Sequence, residues 1–224
     1  MSTPTAGRPA DAHAVIEAAL GSPIEPALSE RLLHYMDLLA RWNGTYNLTA
    51  VRTPEGMLSQ HLADCLSVVG PLKRQWPAKT PAARLLDVGS GGGLPGVVLA
   101  ACLPQLQVVC VDTVAKKAAF VRQVAAELRL PNLLSVHARV EAMGGVPAFD
   151  VITSRAFASL ADFTRLTRPL LAPSGVWVAM KGKTPDDEIA ALGPDVEVFH
   201  VEPLHVPGLD AQRCLVWMRP KALR

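Results

Sequence analysis

Five glycines fall within the eight residues from Gly89 to Gly96, directly after an apolar run that ends at Val88. A helix-like segment, 97–103, follows them. A strand, a tight glycine turn and a helix open a nucleotide-binding α/β fold, because residues without a Cβ let the backbone approach a ligand closely. This stretch therefore predicts a ligand site at the end of a first strand.

The remaining sequence predicts a small helical part before this stretch and an α/β part around it. The 224 residues suffice for one ordinary α/β domain with an appendage. We predict an N-terminal tail and helical cap over 1–80 and the main domain over 81–224. Within the cap we expect three helices. The first spans 12–20 with Asp11 as its N-cap, the second runs from an N-cap at Ser29 to a break at 43–45, and the third runs from Thr53 to Gly70-Pro71. We expect a linker over 76–81.

Apolar strands alternate with helices beyond residue 84, which is typical of a parallel sheet covered on both faces. The pattern changes after Gly182. Two further runs there, 196–201 and 214–219, predict a neighbouring antiparallel strand pair. We expect parallel strands over 85–88, 107–111, 133–137, 149–153 and 176–181, with helices over 116–128, 160–171 and 186–192.

The glycine pattern alone leaves the ligand open. Gly91, Gly93 and Gly96 have the spacing of a dinucleotide fingerprint, but this frame begins three residues after the strand ends. Pro95 also removes a backbone N–H at the helix start, where a pyrophosphate needs donors. These features disfavour NAD without excluding it.

S-adenosylmethionine fits the glycine frame better, because its methionine end needs close backbone approach and no phosphate cradle. Asp87 precedes alternating glycines at 89, 91 and 93, and Asp112 ends the second predicted strand, 23 residues after Gly89. A carboxylate there can accept hydrogen bonds from both ribose hydroxyls, or it can cap the following helix. The C-terminal strand pair favours a class I (Rossmann-like) methyltransferase sheet.

The acceptor can be narrowed by motifs that the sequence lacks. The segment 153–157 reads Thr-Ser-Arg-Ala-Phe, without the Asp/Asn-Pro-Pro-aromatic motif of exocyclic amine methylation. The loops after the fourth and fifth strands lack the nucleophilic Cys of pyrimidine C5 methylation. An acceptor that is already nucleophilic remains, such as guanine N7, whose lone pair needs no general base.

Positive charge is concentrated in the α/β part. Between residues 116 and 183, ten Lys and Arg residues face four acids. This excess suits a polyanion such as RNA, and it equally suits solvated helix faces. The candidates for phosphate contacts are Lys116, Lys117, Arg122, Arg139 and Lys181.

Several motifs together resemble one family, that of the small-subunit ribosomal RNA methyltransferase G, also called glucose-inhibited division protein B. They are Arg-Trp-Asn-x-x-x-Asn-Leu-Thr-Ala at 41–50, His-Leu-Ala-Asp at 61–64 and the glycine stretch 87–96. The resemblance runs from about residue 28 to the C-terminus. Shorter matches occur at 116–117, 120–122, 139–141, 154–156 and 180–182.

The resemblance implies methylation of N7 of one guanine in a conserved 16S rRNA loop near the decoding site. Its cofactor would be S-adenosylmethionine, and its partner would be 16S rRNA or the 30S subunit. With Gly91 from the glycine frame, the expected cofactor contacts are Gly89, Leu94, Asp112, Thr113, Val114, Val140, Glu141 and Arg155. Arg155 and Lys181 are the candidates for a catalytic role.

Other properties are expected from composition. We expect a cytoplasmic monomer without a metal or a membrane span, because no apolar run reaches 18 residues and the four cysteines lack metal spacing. We expect His61 and Asp64 to form hydrogen bonds that pack their helix, and Trp42 to be a core side chain. Asn47 and Thr49 either fix the cap over the mouth of the cofactor site or only satisfy backbone groups. A methyltransferase of small molecules or proteins, and a non-catalytic RNA-binding assembly factor, remain alternatives.

Overall fold

The computed structural model describes residues 8–75, 83–157 and 159–221. Most of the N-terminal tail, and all of the linker expected over 76–81 with the domain boundary in it, lie outside the described residues. The described chain forms helices first and then one sheet, in the sequence order that the apolar pattern predicts.

Over the described ranges, the sheet has seven strands in the order β3-β2-β1-β4-β5-β7-β6. Strands β1 to β5 run parallel, whereas β7 pairs antiparallel with both β5 and β6. This confirms the predicted class I methyltransferase sheet with its antiparallel C-terminal pair. The strands are β1 Arg84–Val88, β2 Gln107–Asp112, β3 Leu133–His137, β4 Phe149–Ser154, β5 Leu171–Lys181, β6 Val196–Leu204 and β7 Arg213–Pro220.

Helices cover both faces of the sheet, because the central strands are apolar on both sides. One face packs against the N-terminal helices and the first two crossover helices. The other face packs against a third crossover helix that begins at Leu160. The helices are α1 Ala12–Leu20, α2 Pro26–Tyr46, α3 Pro54–Met57, α4 Asp64–Leu66, α5 Val69–Gln75, α6 Gly96–Cys102, α7 Ala115–Glu127, α8 Leu160–Thr167 and α9 Asp186–Ala190.

Helix α2 is longer than the sequence predicted. It begins at Pro26. Proline suits the first helical position, because a backbone N–H there would have no hydrogen-bond partner within the helix. Ser29 is therefore not the N-cap; it is buried inside the helix and its hydroxyl contacts His13 Nδ1 at 2.9 Å. The predicted break at 43–45 is also wrong, because the helix ends only at Tyr46, where Asn47 follows with a left-handed φ of 49°.

Three other expectations about local structure need correction. Asp11 precedes α1 without a capping hydrogen bond from its side chain. Gly70-Pro71 lies inside α5 rather than ending a helix. The helix predicted over 160–171 ends at Thr167, and the residues 172–175, which lie between that predicted helix and the predicted strand 176–181, belong to β5, which begins at Leu171. Thr53, in contrast, caps α3 as predicted by accepting from Gly56 N at 3.1 Å.

A π-helical turn, Leu58–Ala63, joins α3 to α4. Such turns are rare and change which side chains face a neighbour within a continuous helix. Here the turn carries His61, and Asp64 follows it directly. Both side chains are buried and directed to the site at the ends of the strands.

Candidate active site at the glycine loop

The glycine loop lies at the carboxyl end of β1, in the crevice where open α/β sheets bind their ligands. The backbone N–H groups of Gly89 and Ser90 both donate to Val111 O, at 2.9 and 3.2 Å, which fixes the loop against β2. Gly93 has a φ of +87°, and a Cβ there would lie 2.4 Å from Val97 Cγ2. Any other residue at this position would strain the backbone and force Val97 to move, so the loop strongly favours glycine here.

Asp87 anchors the loop from beneath. Its Oδ2 accepts from Gly96 N at 2.8 Å, so it holds the first residue of α6. Its Oδ1 is buried and has no hydrogen-bond partner among the described residues. Burial raises the pKa of this carboxyl to about 7. The hydrogen bond to Gly96 makes Asp87 a structural anchor of the glycine loop.

Asp112 joins the loop to the turn after β2. Its Oδ2 accepts from Gly91 N at 2.9 Å and its Oδ1 accepts from Val114 N at 2.8 Å. The bond to Val114 is a turn bond just before α7, and α7 begins without a capping side chain, so the helix-capping alternative for Asp112 is not realised. Each carboxylate oxygen keeps a second lone pair, which leaves the group able to accept from a ribose.

A cavity of about 450 Å³ opens beside Asp112 and combines this carboxylate with apolar walls. A volume and lining of this kind suit an adenosine group. Six of the residues predicted to contact the cofactor line this cavity, namely Gly89, Asp112, Thr113, Val114, Val140 and Glu141. Lys117 and Arg139, two of the candidates for phosphate contacts, line it as well.

Three predicted contacts lie outside the walls of this cavity. Gly91 is the donor to Asp112, and Leu94 is buried in the loop. Arg155 lines a smaller neighbouring cavity of about 50 Å³ at the ends of β4 and β5. Phe157 lines both cavities and was missed from the sequence, although its place just after β4 could have indicated it.

Arg155 is directed toward the π-helical turn. Its Nη1 donates to Gln60 O at 3.1 Å and lies 3.5 Å from Asp64 Oδ2. Arg213, at the start of β7, donates from Nε to the other oxygen of Asp64 at 3.1 Å. Asp64 thus bridges two arginines from different strands, a role that sequence reasoning missed because these partners are distant in the chain.

His61 lies between Arg155 and the turn after α2. Its Nε2 is 2.7 Å from Thr49 Oγ1, and its Nδ1 is 3.3 Å from Arg155 Nη1. Burial, followed by the charge of Arg155, lowers the pKa of His61 to about 4. The imidazole is therefore neutral at physiological pH, and its bond to Thr49 is the packing contact that the sequence predicted.

Lys181 also lies at the smaller cavity, but its ammonium group is paired. Its Nζ lies 2.9 and 2.8 Å from the two carboxylate oxygens of Glu188. Glu188 also accepts from Leu160 N at 2.8 Å, which links Lys181 to the start of α8. This pairing makes Lys181 a weaker candidate for phosphate contact than an unpaired lysine.

The other basic candidates surround the larger cavity or extend from it along α7. Lys117 lines the cavity, and Arg139 lines it while pairing with Glu141 at 3.3 Å. Lys116 and Arg122 are exposed on α7. The cavity mouth is thus bordered by cations on the side of α7.

Within the described ranges, no helix is long and apolar enough to cross a membrane. The same part of the chain contains no group of three or more His, Cys, Asp or Glu side chains placed to hold a metal ion.

Solved structures with this arrangement support the fold. The structure of TrmN from Thermus thermophilus matches with a TM-score of 0.57 at 20% identity, covering 73% of this chain and 53% of that chain. Coclaurine N-methyltransferase, solved with N-methylheliamine and SAH, matches with a TM-score of 0.54 at 11% identity, covering 87% and 74%. At these identities the likeness concerns the fold alone.

Sequence relatives identify the family. The family model described as rRNA small subunit methyltransferase G matches residues 28–216. A protein from Leptothrix cholodnii with the name Ribosomal RNA small subunit methyltransferase G is 61% identical over 205 residues, 92% of this chain and 93% of that protein. A protein of the same name from Acidovorax sp. strain JS42 is 58% identical over 218 residues, 94% and 96% of the two chains. The chain therefore belongs to the rRNA small subunit methyltransferase G family of S-adenosylmethionine-dependent enzymes.

Proposed function

We propose that this enzyme transfers a methyl group from S-adenosylmethionine to N7 of a single guanine in 16S rRNA, by direct attack of the N7 lone pair. The observation that carries the proposal is the cavity of about 450 Å³ beside Asp112 at the carboxyl ends of the strands, in a chain of this family. We infer that it acts as a monomer in the cytoplasm, on the 30S subunit or on its rRNA.

The cofactor would occupy the larger cavity. Asp112 would accept from the ribose hydroxyls through its free lone pairs, and Val140 and Phe157 would provide apolar walls for the adenine. Glu141 or its backbone would accept from the adenine amine. Gly91 and Leu94 would act by shaping the loop, and Arg155 would act from the smaller cavity. When bound, the cofactor supplies a methyl group on a positively charged sulfur.

The acceptor guanine would enter at the smaller cavity, which shares Ala156 and Phe157 with the larger one. No proton has to be removed from guanine N7, so the protein needs to align the base and exclude water. The side chain of Arg155 keeps 24% of its surface exposed and can donate to a base carbonyl from its unused nitrogens. Lys181, held by Glu188, would form the opposite wall.

The backbone of the rRNA would be held by cations around the mouth. Lys116, Lys117, Arg122 and Arg139 are the phosphate contacts that we propose, because each is at least partly exposed. Because each phosphate contact releases counterions, we expect the affinity of the enzyme for the rRNA to fall measurably with rising salt concentration.

We also propose that residues 1–80 form a cap on the methyltransferase domain of residues 81–224. The N-terminal helices share one hydrophobic cluster with α6 and α7, so the cap and the domain are expected to unfold together.

The test measures methyl transfer from labelled S-adenosylmethionine to three acceptors. They are 30S subunits whose 16S rRNA lacks the N7-methylguanine, the 16S rRNA extracted from those subunits, and a mixture of ribosomal proteins and free nucleosides. We expect label in the rRNA of at least one of the first two, as N7-methylguanine at one site. Label on protein or on free nucleosides only would contradict the proposal.

A further inference from the structure

Tyr46 is exposed although it belongs to an aromatic cluster. Its side chain is 41% exposed, and the only other exposed large hydrophobic side chains in the described part of the chain are Leu134 and Val146. Its ring centroid lies 5.1 Å from that of Trp42, which lies 5.3 Å from that of Phe120 on α7. The cluster holds Tyr46 from behind and leaves part of its ring open to solvent.

The position of Tyr46 relative to the active site follows from how α2 passes α7. His34 contacts Glu127, the last residue of α7, at 3.4 Å, whereas Trp42 contacts Phe120, nearer the start of α7. The two helices therefore run antiparallel. Tyr46, one further turn along α2, is directed to the end of α7 that carries Lys116 and Lys117.

Cations lie on the two elements next to the exposed ring, the start of α7 and the segment that follows α2. Lys117 lines the larger cavity, and Lys116 is exposed beside it. In the segment after α2, exposed Arg52 donates from Nη2 to Asn47 Oδ1 at 2.8 Å, and Asn47 is the chain neighbour of Tyr46. An exposed aromatic ring near cations is the kind of surface that binds single-stranded nucleic acid, where phosphates contact the cations and a base stacks on the ring.

We propose that Tyr46, supported by Trp42, is a stacking platform for an unpaired nucleobase of the rRNA next to the target guanine. This rests on the proposed function, because the partner is the small-subunit rRNA. Asn47 turns the chain sharply at the end of α2 with its left-handed φ of 49°. The platform recognises that one base is unpaired and available, not which base it is, since every base has a π-face.

The test uses three substitutions of Tyr46 in the full chain and unmethylated 30S subunits as the probe. We expect Tyr46→Ala to weaken 30S binding, and to raise the KM for 30S, by between about 5-fold and 150-fold, the loss of one stack of ~1–3 kcal/mol. Tyr46→Phe keeps the ring and is expected to stay within about 2-fold of the wild type. Tyr46→Leu keeps an apolar contact with Trp42 and is expected to lose binding as Tyr46→Ala does.

Two controls separate stacking from other effects. Leu134→Ala truncates another exposed side chain, on the edge strand β3, and is expected to leave 30S binding unchanged. The salt dependence of binding is expected to stay the same in Tyr46→Ala, whereas Lys116→Ala lowers the slope of log K against log salt by about 0.7. Affinity for S-adenosylhomocysteine is expected to be equal in all Tyr46 variants.

The platform is overturned if Tyr46→Leu binds 30S subunits as the wild type does, or if Tyr46→Phe loses as much as Tyr46→Ala, because the hydroxyl would then carry the contact. Binding is measured without turnover, so it is independent of methyl transfer. A wild-type enzyme that binds 30S subunits and fails to methylate them would contradict the proposed function, and loss of binding in Tyr46→Leu would still support the platform.

Discussion

The hydroxyl of Tyr35 donates a hydrogen bond to the carbonyl oxygen of Gly92 across 2.6 Å, from the middle of α2 to the glycine loop. Tyr35 is fully buried, and Leu39 of the same helix lies against Gly92 as well. The N-terminal helices thus form the outer wall of the loop, and loop geometry depends on residues more than fifty positions earlier in the chain.

Replacing Tyr35 with Phe is expected to lower the free energy of unfolding by about 1–2 kcal/mol, because the carbonyl of Gly92 loses its donor in a buried place. Affinity for the cofactor is expected to fall as well, since the loop loses one of its supports. Chemical denaturation and calorimetric titration measure the two effects. The control is Tyr46→Phe, which removes the hydroxyl of the only other tyrosine, at an exposed position; equal stability of the two variants would contradict the role of the bond.

Two alanine substitutions in the loop are expected to differ strongly. Gly91 and Gly93 both have positive φ, of 57° and 87°, so both variants carry backbone strain of about 1–2 kcal/mol. A Cβ at Gly91 meets nothing within 4 Å, whereas one at Gly93 would lie 2.4 Å from Val97 Cγ2. Gly93→Ala is therefore expected to lose cofactor binding while Gly91→Ala stays folded with reduced affinity. If both variants bound the cofactor with equal affinity in a titration, the clash of the new Cβ at position 93 with Val97 would be relieved without cost, and the expectation would be wrong.

The buried carboxyl of Asp87 is expected to make stability fall with rising pH. Its pKa is about 7 in the folded chain because of burial, and the unfolded value is near 3.8. The folded state therefore prefers the protonated form, and stability contributed by this group is lost as the pH rises toward and through 7. Linkage gives a loss of about 2 kcal/mol between pH 5.5 and 8.5.

Asp87→Asn is expected to remove this pH dependence, since the amide oxygen can still accept from Gly96 N and no charge is buried. Unfolding free energies measured at both pH values for the wild type and the variant test the expectation. A wild type that is more stable at pH 8.5 than at pH 5.5, with the variant showing the same trend, would rule out a contribution from this carboxyl.

The ion pairs of Asp64 are expected to stabilise the contact between the π-helical turn and the sheet. Asp64→Asn leaves two largely buried arginines without their carboxylate, which is expected to cost about 2–3 kcal/mol, less than for fully buried charges because Arg155 and Arg213 are about a quarter exposed. The matched control is Arg219→Gln, which breaks a surface pair with Glu197 at 2.8 Å and is expected to cost much less, because solvent screens an exposed pair. If urea denaturation gave similar losses of unfolding free energy for Asp64→Asn and Arg219→Gln, solvent would screen the ion pairs of Asp64 as it screens a surface pair, and the expectation would be wrong.

The apolar pattern predicted the sheet well, because continuous buried strands between helices permit few arrangements. The antiparallel end of the sheet followed from the change of pattern after Gly182, whereas the order and register of the strands were not predicted and come from the structure. The boundaries of α2 were wrong because Ser29 and Asn43-Gly44 resemble cap and break signals, whereas tertiary packing of Tyr35, Leu39 and Trp42 keeps the helix continuous.

The position of the candidate site was predictable where one residue type carries the chemistry, as with the glycine loop and Asp112, while the cofactor contacts themselves stay predictions. The ion pairs of Asp64 with Arg155 and Arg213 join residues about 90 and 150 positions apart, and a single sequence gives no signal for such pairs. The pairing of Lys181 with Glu188 was missed for a different reason, because the helix that places Glu188 is short and its orientation depends on packing.

The most direct test of the central claim is chemical strand scission at N7-methylguanine in 16S rRNA, after 30S subunits lacking the mark are incubated with the enzyme and S-adenosylmethionine. The account predicts one scission site with the wild type, none without the cofactor, and a much lower yield with Gly93→Ala than with Gly91→Ala. Methyl incorporation without scission at any guanine, or scission at many guanines, would contradict it.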